Sequence, residues 1–323
     1  MRAIVCESWG GPETLKLLDR PSQPPGPDQV QIRVRAAGVN FPDVLIIQNK
    51  YQVKPELPFT PGSEFAGEVI AVGEGVRHVV PGDRVAAFAG QGAFAEEATV
   101  PADLCLLIPP GLDYETAAAF TLAYGTSWHA LRDRALLQDG ETLLVLGAAG
   151  GVGLAAVDIG KAMGARVIAA ASSWDKLEAC RRYGIDGTID YSRENVREAL
   201  KALCPKGPDV IYDPVGGVFT EQAFRSIAWK GRHLIIGFAA GPIPSIPANL
   251  PLLRGASIVG VYWGSYTRHE PEHWKRSGAE MVHWLLTGKL KPLISHRYAL
   301  AEAPQALADM ASRKVIGKVV IVP

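Results

Sequence analysis

A glycine-rich turn between apolar segments, within Thr142–Lys176, restricts the fold of this chain more than any other feature. Leu143–Leu146 is short and apolar, Val152–Gly164 carries apolar residues at helical spacing, and Arg166–Ala171 is apolar again. This order predicts strand, turn, helix and strand, which is one βαβ unit. A βαβ unit requires a parallel sheet with helices packed on it, so the sequence predicts an α/β protein.

The turn itself has glycines at G-x-x-G-x-x-G spacing: Gly147, Gly150 and Gly153, with Gly151 and Val152 between the last two. Such glycines let a strand turn tightly into a helix, let a diphosphate approach the backbone, and let the helix pack closely. A tight turn without a ligand is the alternative, but the position between strand and helix favours a bound dinucleotide. Along the helix, one stripe is predicted to face the sheet (Val152, Ala156, Ile159, Met163), and Asp158 and Lys161 are predicted to face outward.

The end of the second strand indicates which dinucleotide binds. NAD-selective sites usually place Asp or Glu there to accept a hydrogen bond from the ribose 2′-hydroxyl. This chain has Ala171, Ser172 and Ser173, followed by Lys176. Two hydroxyls and an ammonium suit a 2′-phosphate, so the sequence favours NADPH over NADH. Ser172 and Asp175 also fit a capping box for the next helix, which is the alternative.

Composition excludes several classes of protein. The 323 residues suffice for two domains, and a formal net charge of +0 without a basic cluster argues against nucleic-acid binding. No apolar segment is long enough to span a bilayer, and Glu7 interrupts the only apolar N-terminal segment, so neither a membrane span nor a signal peptide is predicted. The cysteines are widely separated, which predicts free thiols and a cytoplasmic location (Cys6, Cys105, Cys180, Cys204).

Two patterns divide the chain. Up to about residue 120, short β-rich segments alternate with proline and glycine turns, which predicts a barrel-like β domain. Its predicted strands are Val30–Ala36, Glu64–Val72, Arg84–Phe88 and Phe94–Val100. From Tyr114 the pattern is helical, with a predicted break near Gly125.

Further strands are predicted after the glycine turn, at Val210–Tyr212, His233–Gly237 and Ser257–Val261. Because ligands of open parallel sheets bind at the carboxyl ends of the strands, the residues that follow these strands are expected to line one crevice. The last part of the chain is predicted to form helices at His273–Thr287 and Ala303–Arg313 and a strand at Gly317–Val322.

The order of these segments resembles the zinc-free, zeta-crystallin-like quinone oxidoreductases of the medium-chain dehydrogenase/reductase superfamily. The matching segments are AAGVNFPD (36–43), PGSEFAGEVIAVG (61–73), PGDRV (81–85), GAAGGVG (147–153), DPVGG (213–217) and GKVVIVP (317–323). The resemblance implies a GroES-like β-barrel domain at 1–121, a Rossmann-type NADPH-binding domain at 122–265, and a C-terminal segment at 266–323 that returns to the first domain. It also implies a homodimer.

Departures from the zinc-dependent relatives predict a site without metal. Those enzymes have Cys after the glycine where this chain has Val39 and Asn40, and Gly-His-Glu where Gly62, Ser63 and Glu64 stand here. Val, Asn and Ser cannot replace thiolate and imidazole around a tetrahedral zinc. His269, Glu270 and His273 have the spacing of a zinc-protease helix, but Pro271 between them is expected to break or begin the helix.

The resemblance implies NADPH-dependent hydride transfer to a quinone, with the nicotinamide held against a flat acceptor. We predict that Asn40 and Tyr51 donate hydrogen bonds to the developing oxyanion. A loop-capping Asn40 and a half-buried Tyr51 are the alternatives. Quinone reductases commonly have Arg where this chain has Ile47 and Gly where it has Asn49, so the substrate class stays more open.

The predicted coenzyme site combines the glycine turn and the polar end of the second strand with residues that the resemblance implies. The coenzyme is expected to contact Asn40, Thr126, Gly147, Gly150, Gly151, Val152, Gly153, Ser172, Ser173, Lys176, Tyr191, Gly216, Phe238, Gly260, Val261, Tyr262 and Lys318. About half of the aromatic residues Phe41, Tyr124, Trp128, Tyr262, Trp263 and Tyr266 are expected to line an apolar substrate slot, the others being core. Tyr191 has an alternative as an ordinary loop residue.

Two other functions fit the same sequence. One is an NADPH-dependent enone, alkenal or enoyl-thioester reductase, for which Lys230 with Arg232 is the one modest basic patch for CoA phosphates. The other is a non-catalytic NADPH-binding protein, although the neutral charge argues against a nucleic-acid partner.

Overall fold

The computed structural model describes all residues from Met1 to Pro323, and the chain forms two compact units. The first contains Met1–Leu122, Gly278–Leu286 and Pro292–Pro323, and the second contains Ala123–Ser277 and Thr287–Lys291. The second unit therefore extends past residue 265, where the sequence placed its end. The first is assembled from segments at both ends of the chain.

The elements follow in chain order. The first part of the chain forms β1 (Arg2–Val5), β2 (Lys16–Asp19), β3 (Gln29–Val39), α1 (Phe41–Ile47), β4 (Glu64–Val72), β5 (Arg84–Phe88), β6 (Glu97–Pro101), β7 (Cys105–Leu107) and α2 (Tyr114–Trp128). The middle forms β8 (Thr142–Leu146), α3 (Gly151–Ala162), β9 (Arg166–Ala171), α4 (Trp174–Arg181), β10 (Gly187–Asp190), α5 (Val196–Leu203), β11 (Val210–Asp213), α6 (Val218–Phe224), β12 (Arg232–Ile235), α7 (Asn249–Arg254) and β13 (Ser257–Gly260). The last part forms α8 (Trp263–His269), α9 (Pro271–Leu286), β14 (Ile294–Ala299), α10 (Ala303–Ala311) and β15 (Lys318–Val322).

The first unit is built on a seven-stranded sheet with the order β14-β15-β3-β4-β5-β7, in which β6 also pairs with β3. In β3, Ile32 and Val34 are buried while Arg33 and Arg35 are exposed. This alternation is what makes the segment a half-buried strand. The last strand, β15, pairs antiparallel with β3, placing Val320 opposite Gly38. The two ends of the chain thus share one sheet.

The second unit has a six-stranded parallel sheet with the order β10-β9-β8-β11-β12-β13. This is the Rossmann order, and its strand order reverses between β8 and β11. Its central strands are apolar throughout, as in Leu143–Leu146, because helices cover both faces of such a sheet. The glycine turn follows β8, so it lies at the point of reversal where this fold binds ligands.

Two local predictions about helices were wrong. Helix α2 runs through Gly125 without a break. The glycine leaves room for the ring of Trp263, from which a Cβ at Gly125 would lie only 2.8 Å. The helix continues as a π-helical turn at His129–Arg134. Asp158 faces inward and is buried, since its Oδ2 accepts hydrogen bonds from the Tyr124 hydroxyl (2.8 Å) and the Lys291 amide (2.7 Å). Burial raises the pKa of Asp158, outweighing these hydrogen bonds.

The prediction for Pro271 is confirmed. His269 ends α8, and Pro271 begins α9, which carries His273. The two histidines therefore lie on different helices and cannot present the zinc-protease arrangement. None of the helices combines the length and apolar character that crossing a bilayer requires.

Candidate coenzyme site and buried polar centre

The glycine turn of the second unit has no room for side chains at two of its positions. Gly147 has a φ of +58°, and a Cβ there would lie 2.8 Å from Val215 Cγ2. A Cβ at Gly153 would lie 2.2 Å from the carbonyl oxygen of Gly147. Gly150 precedes α3, and no side chain caps this helix, so its N-terminal amides suit an anionic ligand such as a diphosphate.

At the end of β9 a lysine and a serine side chain lie together. Lys176 Nζ donates a hydrogen bond to Ser172 Oγ (3.1 Å), and Asp175 is exposed. Ser173, not Ser172, precedes α4, and its side chain makes no capping hydrogen bond. The capping-box alternative for Ser172 and Asp175 is therefore wrong.

Tyr191 lies beside this end of β9. Its backbone amide donates to the carbonyl oxygen of Ala171 (3.1 Å), and its ring packs at a tilt on Phe219 with 4.5 Å between centroids. The loop after β10 is thereby tied to the strand whose end carries the two serines. An aromatic face at this position suits an adenosine.

The carboxyl ends of β11 and β12 bring a second group of predicted residues together. Gly216, with φ of +73°, lies against Phe238, because a Cβ there would be 3.1 Å from the Phe238 ring. Val261 donates its amide to the carbonyl oxygen of Ile235 (3.0 Å), which ties the segment Gly260–Tyr262 to β12.

Most of the predicted slot aromatics are core residues instead. Tyr124, Trp128, Trp263 and Tyr266 are buried within the second unit. The hydroxyl of Tyr124 is bound to Asp158, and the Trp263 ring meets the Trp274 ring edge-on at 5.0 Å. We therefore reassign these four residues from a substrate slot to the core, because their side chains are buried and packed within the unit. Phe41 is partly exposed and Tyr262 is 47% exposed.

Sequence reasoning missed a serine that supports the glycine turn. Ser127 is buried beside Thr126 on α2, and its hydroxyl donates to the carbonyl oxygen of Val152 (2.9 Å). The same hydroxyl lies 2.8 Å from the hydroxyl of Tyr212. It therefore holds the first turn of α3 against β11. Nothing in the local sequence marks Ser127 for this role.

The interior of the first unit contains a buried polar centre formed by Asn40, Glu64 and Lys318. Lys318 Nζ donates hydrogen bonds to Asn40 Oδ1 (2.5 Å) and Glu64 Oε1 (2.8 Å), although Lys318 is only 2% exposed. Asn40 Nδ2 donates to the same Glu64 oxygen (2.9 Å). The second oxygen of Glu64 accepts from the amide of Leu122 (2.6 Å). The charges of Glu64 and Lys318 are thus paired and hydrogen-bonded, as buried charges must be.

This geometry revises the predicted role of Asn40. Its amide nitrogen is bound to Glu64, with Gly38 O at 3.5 Å, and its amide oxygen is bound to Lys318. The side chain is therefore occupied within the unit, and it positions Lys318 instead of pointing a donor at an acceptor. Tyr51 is half-buried and packs against the core of the first unit.

Two neighbouring departures from the quinone-reductase pattern are also explained locally. Ile47 is fully buried at the end of α1, so its side chain belongs to the core of the unit. Asn49 has a φ of +56°, the left-handed backbone that Asn tolerates best after Gly.

Asp43 adjoins the polar centre on α1 and is fully buried. Its carboxylate accepts from the backbone amide of Asn40 (2.8 Å) and from the hydroxyl of Ser63 (2.6 Å). Burial raises the pKa of Asp43 from its ordinary 3.8 to about 6, against the lowering effect of these hydrogen bonds. Ser63 stands where zinc-dependent relatives have a ligand, and here its hydroxyl donates a hydrogen bond to Asp43.

Asp43 should give the protein a measurable dependence of stability on pH. Between pH 3.8 and about 6 the folded state keeps a proton that the unfolded chain has released, so its contribution is lost as pH rises. We expect the free energy of unfolding, relative to Asp43→Asn, to fall by about 2–3 kcal/mol between roughly pH 4 and pH 6.5. Denaturant unfolding of both proteins at several pH values measures this. Parallel pH profiles would contradict it.

A Rossmann-type unit with this glycine turn, together with a GroES-like β unit, defines a nicotinamide-dinucleotide-dependent oxidoreductase. Comparisons with known proteins specify the family. Residues 26–110 match the alcohol dehydrogenase GroES-like domain, and residues 151–282 match the zinc-binding dehydrogenase family. The chain belongs to the medium-chain dehydrogenase/reductase superfamily, among its quinone oxidoreductase-like members.

Three relatives illustrate this membership. A quinone oxidoreductase-like protein 2 homolog of Nematostella vectensis is 42% identical over 99% of this chain and 88% of its own length. A quinone oxidoreductase of Pseudomonas aeruginosa is 37% identical over 100% of this chain and 99% of its own. The Escherichia coli quinone oxidoreductase solved with NADPH superposes with a TM-score of 0.93 at 27% identity, covering 100% of both chains.

Proposed function

We propose that this protein transfers a hydride from NADPH to a quinone without a catalytic metal. The observation that carries the proposal is the ammonium of Lys318, held between Asn40 and Glu64 inside the first unit. Asn40 and Glu64 adjoin the positions that supply zinc ligands in the resembling zinc enzymes. A fixed positive charge bound there opposes a divalent cation, and an amide with a committed carboxylate is a poor zinc donor set.

The coenzyme preference follows from the end of β9. Ser172 and Lys176 form a hydroxyl and ammonium pair at the strand end where a ribose 2′ substituent lies, and no carboxylate occupies that position. Such donors bind a phosphate, and the carboxylate that usually accepts from a 2′-hydroxyl in NAD-selective sites is absent. The E. coli relative, solved with NADPH, supports the same preference.

The acceptor class follows from the chemistry that a metal-free site allows. When bound, NADPH supplies the hydride, and a quinone is electron-poor enough to accept it without Lewis-acid polarisation. Water suffices to protonate the quinol. The enoyl-CoA alternative loses its basic patch, because Arg232 is bound to both oxygens of Glu141 (2.8 and 2.7 Å) and to the carbonyl oxygen of Ala135.

An acceptor screen tests this proposal. With NADPH as donor, we expect 1,4-benzoquinone and 9,10-phenanthrenequinone to be reduced at least tenfold faster, in kcat/KM, than an alkenal or crotonyl-CoA. Exhaustive chelation should leave quinone turnover within about twofold of the untreated enzyme, since no step requires a metal. Loss of turnover that zinc restores, or crotonyl-CoA as the best acceptor, would reject the proposal. Tight NADPH binding without turnover on any acceptor would indicate a non-catalytic protein.

We also propose a homodimer. Strand β13 ends the parallel sheet with one side unpaired, and Ile258 on it is 45% exposed. An exposed apolar edge strand is a template for pairing with a second copy, and a twofold axis makes that pairing self-complementary. Sedimentation should give about twice the 34.6 kDa chain mass, and Ile258→Lys should shift it toward the monomer. A monomer at micromolar concentration would contradict this.

A cytoplasmic location stays a prediction.

A further inference from the structure

A single buried carboxylate organises the loop that follows β11. Asp213 Oδ1 accepts hydrogen bonds from the backbone amides of Val215 (2.9 Å) and Gly216 (2.8 Å). Its Oδ2 accepts from the hydroxyl of Thr220 (2.6 Å) and lies 3.1 Å from His233 Nε2. A carboxylate offers about four acceptor positions, so Asp213 is fully coordinated within the second unit.

The two side chains that approach Oδ2 are themselves completely buried. Thr220 and His233 are both 0% exposed, on α6 and β12 respectively. Because an ionised carboxylate only accepts, His233 Nε2 must carry the shared proton, and its Nδ1 is left without a partner beside the Phe224 ring. Burial acts to raise the pKa of Asp213, but the hydrogen bonds from His233, Gly216 and Thr220 lower it below its ordinary value. An unpartnered buried nitrogen is costly, so the contact with Asp213 is the one hydrogen bond that offsets the burial of the His233 ring.

The loop that Asp213 fixes lies between the glycine turn and the end of β12. Val215 packs on the Cα of Gly147, and Gly216 packs on Phe238. Gly216 and Gly217 both have left-handed backbone, with φ of +73° and +63°, which the two amide hydrogen bonds help to hold. The Asp213 carboxylate is therefore linked directly to the backbone of this loop at the carboxyl end of β11.

This loop belongs to one half of the coenzyme site. In the Rossmann order, β8, β9 and β10 carry the adenosine half, and β11, β12 and β13 carry the other mononucleotide, across the point of reversal. Ser172 and Lys176 lie in the first half, and the loop 214–217 lies in the second. The two halves can therefore be probed with different ligands.

We propose that Asp213, Thr220 and His233 form a positioning centre that holds the loop 214–217 in place for the nicotinamide half of the coenzyme. None of the three touches the coenzyme in this proposal. They act through the backbone of Val215 and Gly216. The inference rests on the proposed coenzyme use and adds to it the residues that set nicotinamide placement.

The test compares the affinity for NADPH with that for adenosine 2′,5′-bisphosphate, which has the 2′-phosphate but no nicotinamide. Thr220→Val removes one hydrogen bond to Oδ2 at nearly constant shape, and His233→Leu removes the other. Because a hydrogen bond to a charged group is lost, we expect each to weaken NADPH binding by about tenfold and bisphosphate binding by less than about twofold. The matched controls Thr220→Ser and His233→Gln keep a donor near Oδ2 and should bind NADPH within about threefold of wild type.

The outcomes separate a positioning role from a structural one. Equal losses for both ligands would overturn the proposal, because they would indicate damage to the whole coenzyme unit. Unchanged NADPH affinity in Thr220→Val would also overturn the proposal. If His233→Leu fails to fold, the result for Thr220→Val alone decides. If the wild-type protein binds NADH more tightly than NADPH, the proposed coenzyme is wrong. The losses of affinity for NADH and for ADP in the same variants then test the positioning centre.

Discussion

Lys318→Met is expected to lower the free energy of unfolding by about 3–5 kcal/mol, the cost of leaving a buried charge without its partner. Glu64 is 0% exposed, and its Oε1 accepts hydrogen bonds from Lys318 and from Asn40. Without the ammonium, the carboxylate must take up a proton or remain charged in the interior, and both cost free energy. Denaturant unfolding followed by circular dichroism measures the change.

A double-mutant cycle attributes this loss to the ion pair. Glu64→Gln, measured alone and combined with Lys318→Met, completes the cycle. The combination removes both charges, so we expect the double variant to be more stable than Lys318→Met alone. Lys201→Met is the matched control, because its pair with Glu198 is exposed (59% and 64%) and should contribute little to stability. If Lys318→Met costs no more than the control, or if the double variant shows no coupling, the charged pair does not stabilise the interior of the first unit.

Lys176→Glu is expected to lower the ratio of kcat/KM with NADPH to that with NADH by about a hundredfold. Two effects, each of about tenfold, multiply to give this change. One is the loss of an ammonium that attracts the 2′-phosphate, and the other is the gain of a carboxylate that repels it. The new carboxylate also accepts from a ribose 2′-hydroxyl, which favours NADH. Steady-state kinetics with both coenzymes and one quinone measure the ratio.

Two further variants define the specificity of this effect. Lys176→Gln removes only the attraction, so its ratio should fall by about tenfold. Lys206→Glu makes the same change in net charge at an exposed position of the second unit, and its ratio should not change. An unchanged ratio in Lys176→Glu would mean that Lys176 and its serines serve only the local structure.

Local sequence patterns predicted the regular strands and the glycine turn. Strands at Glu64–Val72, Arg84–Phe88 and Arg166–Ala171 have the predicted bounds, because their apolar patterns are bounded by turn residues. The hairpin of β1 and β2 was missed, since its second strand is mostly exposed and has no apolar alternation. Strand β14, ISHRYA, was missed for a similar reason. Pairing with neighbours makes these segments strands, and a single sequence does not reveal those neighbours.

The candidate sites also include parts that the local sequence predicts and parts that it does not. The contacts around Gly147 and Gly153 follow from local spacing, and so does the clustering of Ser172 with Lys176. The polar centre does not, because Glu64 and Lys318 are 254 residues apart in the sequence. Two predictions about burial were wrong. Asp158 was expected on the outer face of its helix, and Tyr124 was expected at a pocket. Both are buried because each satisfies the other.

The pairing of β15 with β3 sets an order in which the protein can take shape during translation. The second unit is nearly continuous in sequence, so its sheet can form once its own residues have left the ribosome. The sheet of the first unit must wait for a strand that begins at Lys318. Until then the end of β3 at residues 37–39 lacks its partner strand, and Glu64 lacks its counter-charge. We therefore expect the nascent N-terminal segment to be the part that most needs protection by chaperones.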